Sequence, residues 1–211
     1  MGLKDWYEAR IMPRLITCAC SQPQVMKRRA EVVPRAPAAM SLSWAAGAGS
    51  TRLSMIRRRS PPMPGSTRTP ACSMARAQQH SARGWAADIR EGRGEAIPFA
   101  DASFDCVVCT FTLCSVEDPA QVMRELRRIL RPGGEVLFLE HGRAPDAGVR
   151  RWQERIEPLW KRLAGGCHLT RPIASALAHA GFVVERLEEG YTPKAPRIAG
   201  WMEWGVARKA G

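Results

Sequence analysis

The chain has 211 residues, 45% of them hydrophobic, and a formal charge of +12, which is room for one α/β domain with a sizeable core. No apolar run reaches bilayer length and no secretory signal opens the chain, so the odd count of seven cysteines predicts a cytoplasmic protein with reduced thiols and excludes a disulfide-stapled fold. The charge is lopsided, with 16 Lys/Arg against 6 Asp/Glu in residues 1–100 and 16 against 14 in residues 101–211. A basic half suits nucleic acid or an anionic surface. It carries no interleaved aromatic residues and no nucleic-acid module, which leaves a basic nucleic-acid-binding module as the weaker reading.

Residues 1–35 form the first unit. Leu3, Trp6, Tyr7, Ile11 and Leu15 recur at helical spacing, and a second, basic segment follows around Val25 to Arg29; both predict amphipathic helices. Met1-Gly2 opens a myristoylation pattern that Trp6 spoils, because that position requires Ser or Thr. Residues 36–73 form the second unit. From Val32 to Ala87 there is no Asp or Glu, while Arg, Pro and Ser crowd together. Such composition predicts an irregular, disordered segment. Gly47-Ala-Gly49 is a G-x-G within it, with no strand pattern before it; a lone G-x-G is a weak signal for a phosphate or nucleotide loop.

Residues 74–211 form the third unit and carry clear periodicity. Trp85 to Glu91 predicts a short strand, and Gly92 to Phe99 a turn. Cys106 to Val116 is an unbroken apolar and β-branched run, the pattern of a strand buried on both faces. Asp118 and Pro119 predict an N-cap and first helical residue, and Val122, Met123, Leu126, Ile129 and Leu130 then share one face. Pro132 and Gly133 stop that helix, and Val136 to Leu139 predicts the next buried strand. Strand, helix and strand at this spacing make one right-handed βαβ unit of a parallel sheet. Beyond it, Trp152, Gln153, Pro158 and Trp160 predict a helix covering a pocket, and Thr170 an N-cap ahead of Pro172. Gly181 to Leu187 and Trp201 to Arg208 predict two more strands, joined by an irregular link from Tyr191 to Arg197.

Cys106 and Cys109 make a C-x-x-C inside a predicted strand rather than before a helix, where core packing is the expected role. Cys18 and Cys20 have no His or Cys partner at zinc spacing. No metal site is therefore predicted. His141 ends the second buried strand and is the best-placed titratable group, a candidate for proton handling or substrate contact.

Several stretches together resemble a known family. Glu95-Ala-Ile-Pro-Phe99, Ser103-Phe-Asp-Cys-Val-Val108, Arg131-Pro-Gly-Gly134 and the following apolar strand are similar to the second half of a class I S-adenosylmethionine-dependent methyltransferase of the methyltransferase type 11 domain. Cys109-Thr-Phe-Thr-Leu-Cys-Ser-Val116, Glu140-His141, Trp152-Gln153 with Pro158-Leu-Trp160, and Gly166-Cys-His-Leu-Thr-Arg171 narrow the resemblance to the branch that includes the mammalian thiol S-methyltransferases and their bacterial relatives. The resemblance implies a Rossmann-like, mostly parallel sheet closed by an antiparallel hairpin, S-adenosylmethionine as cofactor, no metal, and a small-molecule methyl acceptor such as a thiol or lipid-like compound. It implies that the leading segment packs over the cofactor or substrate mouth. It places Gly47 and Gly49 at the cofactor's glycine turn and Gly94 and Glu95 near its adenine edge; the exits of the two buried strands make Thr110 and Phe111 cofactor-lining candidates and His141 a candidate for catalysis, substrate contact or orienting a loop.

Against that pattern, the first two strands look degraded, and Thr67 stands where the resemblance implies a ribose-binding acid. Reading the same codons one base earlier forces Gly at 45, Asp at 56 and Ala at 64, and permits Val-Leu-Glu-Leu-Gly-Cys-Gly-Ser-Gly over 41–49 and Gly-Val-Asp-Pro over 65–68. The separation from 45 to 67 suits a glycine turn and the ribose-binding acid of the next strand. We hypothesise that residues 36–73 are translated out of frame; resequencing the locus tests this, and an unaltered reading frame would remove it. A chain without an intact cofactor loop would be a catalytically impaired relative, the principal alternative to an active enzyme.

Overall fold

The computed structural model describes residues 2, 6–7, 10–32, 41–46, 53–59 and 86–211, and gives backbone alone at 13, 16–17, 41–46, 53–59 and 86–91. Two helices lead, α1 (Met12–Cys20) and α2 (Pro23–Val32). Strands β1 (Ser41–Ala46), β2 (Leu53–Arg59), β3 (Ala86–Gly92) and β4 (Phe104–Thr110) follow. Then come α3 (Pro119–Ile129), β5 (Leu130–His141), α4 (Ala147–Leu163), α5 (Ile173–His179), β6 (Phe182–Tyr191), the single turn α6 (Arg197–Gly200) and β7 (Trp201–Lys209). The strands build one open sheet in the order β3-β2-β1-β4-β5-β7-β6. The run 3-2-1-4-5 is the order of a doubly wound Rossmann-like sheet, and β7 inserts antiparallel between β5 and β6 as the expected closing hairpin.

Among the described residues, parallel pairing is confined to β1–β4 and β4–β5. The segment expected to be irregular supplies the backbone of β1 and β2, and β1 directly precedes Gly47, where the sequence shows no strand pattern. β2 runs antiparallel to β1. The reason is length: only residues 47–52 join the two strands, whereas a parallel crossover takes a dozen residues or more. β3 is antiparallel to β2 and so points the same way as β1.

The apolar run of β4 is buried on both sides, as its composition predicts. Phe104, Val107 and Cys109 join Val136 and Phe138 in the cluster beneath α3 and α5. Cys106 and Val108 join Leu137, Leu139, Met202 and Trp204 on the other face, where Val32 of α2 also packs. Three residues of strand put Cys106 and Cys109 on opposite faces, which is why that C-x-x-C is core and not a ligand pair. The strand stops at Thr110, and residues 111–117 leave the sheet as a loop.

α3 forms where the periodicity places it. Asp118 caps it through Gln121 N at 3.0 Å, and Val122, Met123, Leu126 and Ile129 are buried, each contributing roughly 1.5–3 kcal/mol relative to exposure. β5 begins at once, with Gly133 at φ 72°, the left-handed region that glycine enters without strain. A Cβ on Gly134 would meet Arg131 O and Leu130 Cδ2 at 3.0 Å. The Arg-Pro-Gly-Gly turn is therefore a steric requirement.

Candidate active site at the exits of β4 and β5

Four strand ends meet at one edge of the sheet: Ala46, Gly92, Thr110 and His141. This is the edge beyond which open parallel sheets bind ligands. Phe111 sits just past Thr110 at φ 54°, a conformation costing a bulky residue on the order of 1–3 kcal/mol. Its N–H bonds to Leu139 O at 3.0 Å, and its ring lies 5.1 Å from that of His141. The Thr110 hydroxyl accepts a bond from Arg29 Nη2 at 3.0 Å, so α2 lies across this corner of the sheet.

The loop after Phe111 is held by Glu140. Its carboxylate is fully buried and accepts the N–H groups of Thr112 at 2.9 Å and Cys114 at 3.1 Å. Burial pushes its pKa up, and those N–H donors, with that of Leu113, pull against the rise. Gln153 of α4 does the same for the next segment: it is buried, accepts from Ala144 N at 3.0 Å and donates to Gly142 O at 3.3 Å.

His141 points into a pair of thiols. Its Nδ1 is 3.4 Å from Cys167 Sγ and 4.0 Å from Cys114 Sγ, and the sulfurs are 3.6 Å apart. The shared hydrogen bond with Cys167, then burial, holds the Cys114 thiol well above its usual pKa, so this sulfur is neutral near pH 7. Leu169, Ile156, Trp160, Ala164 and Ala199 pack around the two cysteines. No sequence spacing announces this cluster, since its members come from the β4 exit, the end of β5 and the α4–α5 turn.

The predicted residues thus divide. Thr110, Phe111 and His141 come together. Glu95 is half-buried and spends its carboxylate on the N–H groups of Glu117 and Asp118, at 3.1 and 3.2 Å, so it braces the start of α3. Gly94 lies buried in the same turn. Gly47, Gly49 and Thr67 lie outside the described residues. Thr170 is not an N-cap: α5 starts after Pro172 without a side-chain cap, and the Thr170 hydroxyl and N–H both bond to Glu157, at 2.6 and 2.9 Å. Of the residues expected to cover a pocket, Gln153 and Trp160 face inward, whereas Trp152 and Pro158 are exposed.

Residues 65–138 match the family profile described as a methyltransferase domain. The match spans 74 of the 211 residues. Thiol S-methyltransferase TMT1B of Rattus norvegicus is 41% identical over 107 residues, 48% of this chain and 44% of the relative; the Homo sapiens protein of that name is 42% identical over the same shares. A ubiquinone/menaquinone biosynthesis C-methyltransferase, UbiE of Hahella chejuensis, is 52% identical over 50 residues, 24% of this chain and 20% of that one. A solved S-adenosylmethionine-dependent methyltransferase from Methanosarcina mazei superposes with a TM-score of 0.44 at 21% identity, covering 56% of this chain and 65% of that one. The chain spans less than half the length of the thiol S-methyltransferases it matches.

A methyltransferase of this family needs a cleft at the sheet edge and a grip on the cofactor's ribose. At the sheet edge the structure shows the strained Phe111 at the β4 exit, its ring against His141. The grip on the ribose does not come from β2, because its reversal brings Leu53 to this edge and carries Arg59 to the far one. No described helix is long and apolar enough to cross a membrane.

Proposed function

We propose that this chain is an S-adenosylmethionine-dependent methyltransferase for small soft nucleophiles, with a thiol as the acceptor, working in a cytoplasm that keeps its cysteines reduced. The observation that carries the reading is the 107-residue kinship with thiol S-methyltransferases, taken together with the convergence of Phe111, His141 and two thiols at the strand exits. The cofactor supplies a methyl group already activated by its positive sulfur, so the protein's work is placement and exclusion of water.

The turn at 92–95 and Phe111, the partly exposed residue of the 110–113 stretch, are the surfaces on which the cofactor would rest. Phe111 gives it an apolar wall. Glu140 fixes that wall by holding the Thr112 and Cys114 N–H groups, and Gln153 fixes the neighbouring 142–144 segment. Trp160 closes the inner side. His141 stands where the acceptor enters and either takes its proton or holds its sulfur. A thiol suits such a site because it needs little beyond deprotonation.

Incubation of the purified, reduced chain with S-adenosylmethionine and a short alkanethiol, followed by mass spectrometry, tests the reading. The expected product is the methyl thioether. Methylation of alcohols or amines but not thiols would overturn the acceptor class.

A further inference from the structure

Cys114, His141 and Cys167 offer one ligand atom each within 4.8 Å of one another. We propose that these three side chains form a binding site for a zinc-class divalent cation, with a fourth position left open for an outside sulfur. The fourth-position part rests on the thiol reading above; the cation site does not.

The distances carry the case. On one tetrahedral zinc, two sulfurs lie about 3.8 Å apart and a sulfur and a nitrogen about 3.5 Å, from bond lengths of about 2.3 and 2.0–2.1 Å. Here the sulfurs are 3.6 Å apart and the nitrogen is 3.4 and 4.0 Å from them. The three groups therefore already mark one face of the coordination polyhedron to within a few tenths of an ångström. Two thiols and an imidazole select a thiophilic ion over magnesium or calcium.

The backbone around the ligands is built to hold them. Cys114 is fixed at both ends, its N–H by Glu140 and its carbonyl by His168 N at 2.8 Å. Arg171 Nη1 braces Leu113 O at 2.8 Å. Gly166, at φ +83°, brings Cys167 close enough that a Cβ there would lie 3.1 Å from Ser115 O. The Phe111 ring orients His141. Such outer contacts are what hold metal ligands in line. The charges also balance: a divalent ion and two thiolates sum to zero, so Arg171 and Glu140 nearby meet no net charge.

Among the described residues, no fourth His, Cys, Asp or Glu joins the set. Three protein ligands and one open position is the pattern of a reactive zinc rather than a structural one. Both cysteines are buried while His141 is half-exposed at the strand exits, so the accessible side of the cluster is that of His141. A thiol binding there would release its proton to solvent and remain as a thiolate. His141 would then serve as ligand, and the cation would lower the acceptor's pKa.

The test is cobalt(II) titration of the reduced full chain, without methyl donor, followed by visible absorption. The expected result is thiolate-to-cobalt charge transfer with the d–d bands of a tetrahedral centre, saturating at about one ion per chain. Cys167→Ser and Cys114→Ser should abolish the charge-transfer band, and Cys18→Ser, at an exposed position, should keep it. Circular dichroism checks that each variant is folded. Absence of the bands in folded wild type, or their survival in Cys167→Ser, overturns the site; so does a Cys114–Cys167 disulfide in the isolated protein with no metal uptake after reduction. Added ethanethiol should shift the d–d bands, and no shift overturns the open position alone. S-adenosylmethionine binding, measured separately, decides the methyltransferase reading independently of these outcomes.

Discussion

Glu203 and Glu140 are adjacent partners in the β5–β7 register, and both are buried. Glu203 Oε2 accepts Ala174 N at 2.8 Å, which ties β7 to the start of α5. Burial, with a smaller push from Glu189, raises its pKa to about 7. A carboxyl raised in the folded state favours the protonated form, so its contribution to stability is complete below the unfolded value and is lost as pH rises through about 7. A shift from 4.5 to about 7 corresponds to about 3 kcal/mol. Urea unfolding at about pH 5 and about pH 8 should show wild type the less stable at the higher pH, and Glu203→Gln should flatten that difference. An unchanged slope in the variant would remove the assignment. At Glu140, truncation to Ala strands the N–H groups of Thr112 and Cys114, which costs about 1–3 kcal/mol for each left unsatisfied. A denaturant midpoint unaffected by Glu140→Ala would contradict its role as the clamp of that loop. Neither role is legible from sequence, because a Glu after an apolar run reads as the end of a strand, and only the returning 111–115 loop makes it a buried acceptor.

At the scale of elements, α3 is the part of the chain most fully written in local code. Its cap, first proline and apolar stripe lie within a dozen residues and need no distant partner to be read. Leu126, buried in the main cluster, should lose about 2–5 kcal/mol on truncation to Ala. Asp118→Ala, at an exposed cap, should lose about 1 kcal/mol. A thermal-melt series that reverses this order would mean that α3 is not packed as described. The strands β6 and β7 were legible for the same local reason, whereas their pairing as a closing hairpin was implied only by the family resemblance. The direction of β2 was not, because it depends on the length of a connection rather than on strand composition. The Thr170 cap also failed as a reading: Glu157, on the preceding helix, claims its hydroxyl.

Across the whole molecule, the parallel β4–β5 pairing and its two covered faces follow from the apolar runs of these strands, while the thiol–imidazole cluster follows from nothing in the spacing. Cys114 and Cys167 are 53 residues apart, and only the common edge of β4 and β5, with α4 returning across it, brings them together. That same edge is where a methyl donor must bind if the kinship of residues 65–138 carries through to activity. The direct measurement is calorimetric titration of the reduced full chain with S-adenosylmethionine. The account predicts saturable heat with one site per chain, diminished by substituting Phe111→Ala at the β4 exit. A chain that is folded by circular dichroism yet gives no heat of binding would contradict it.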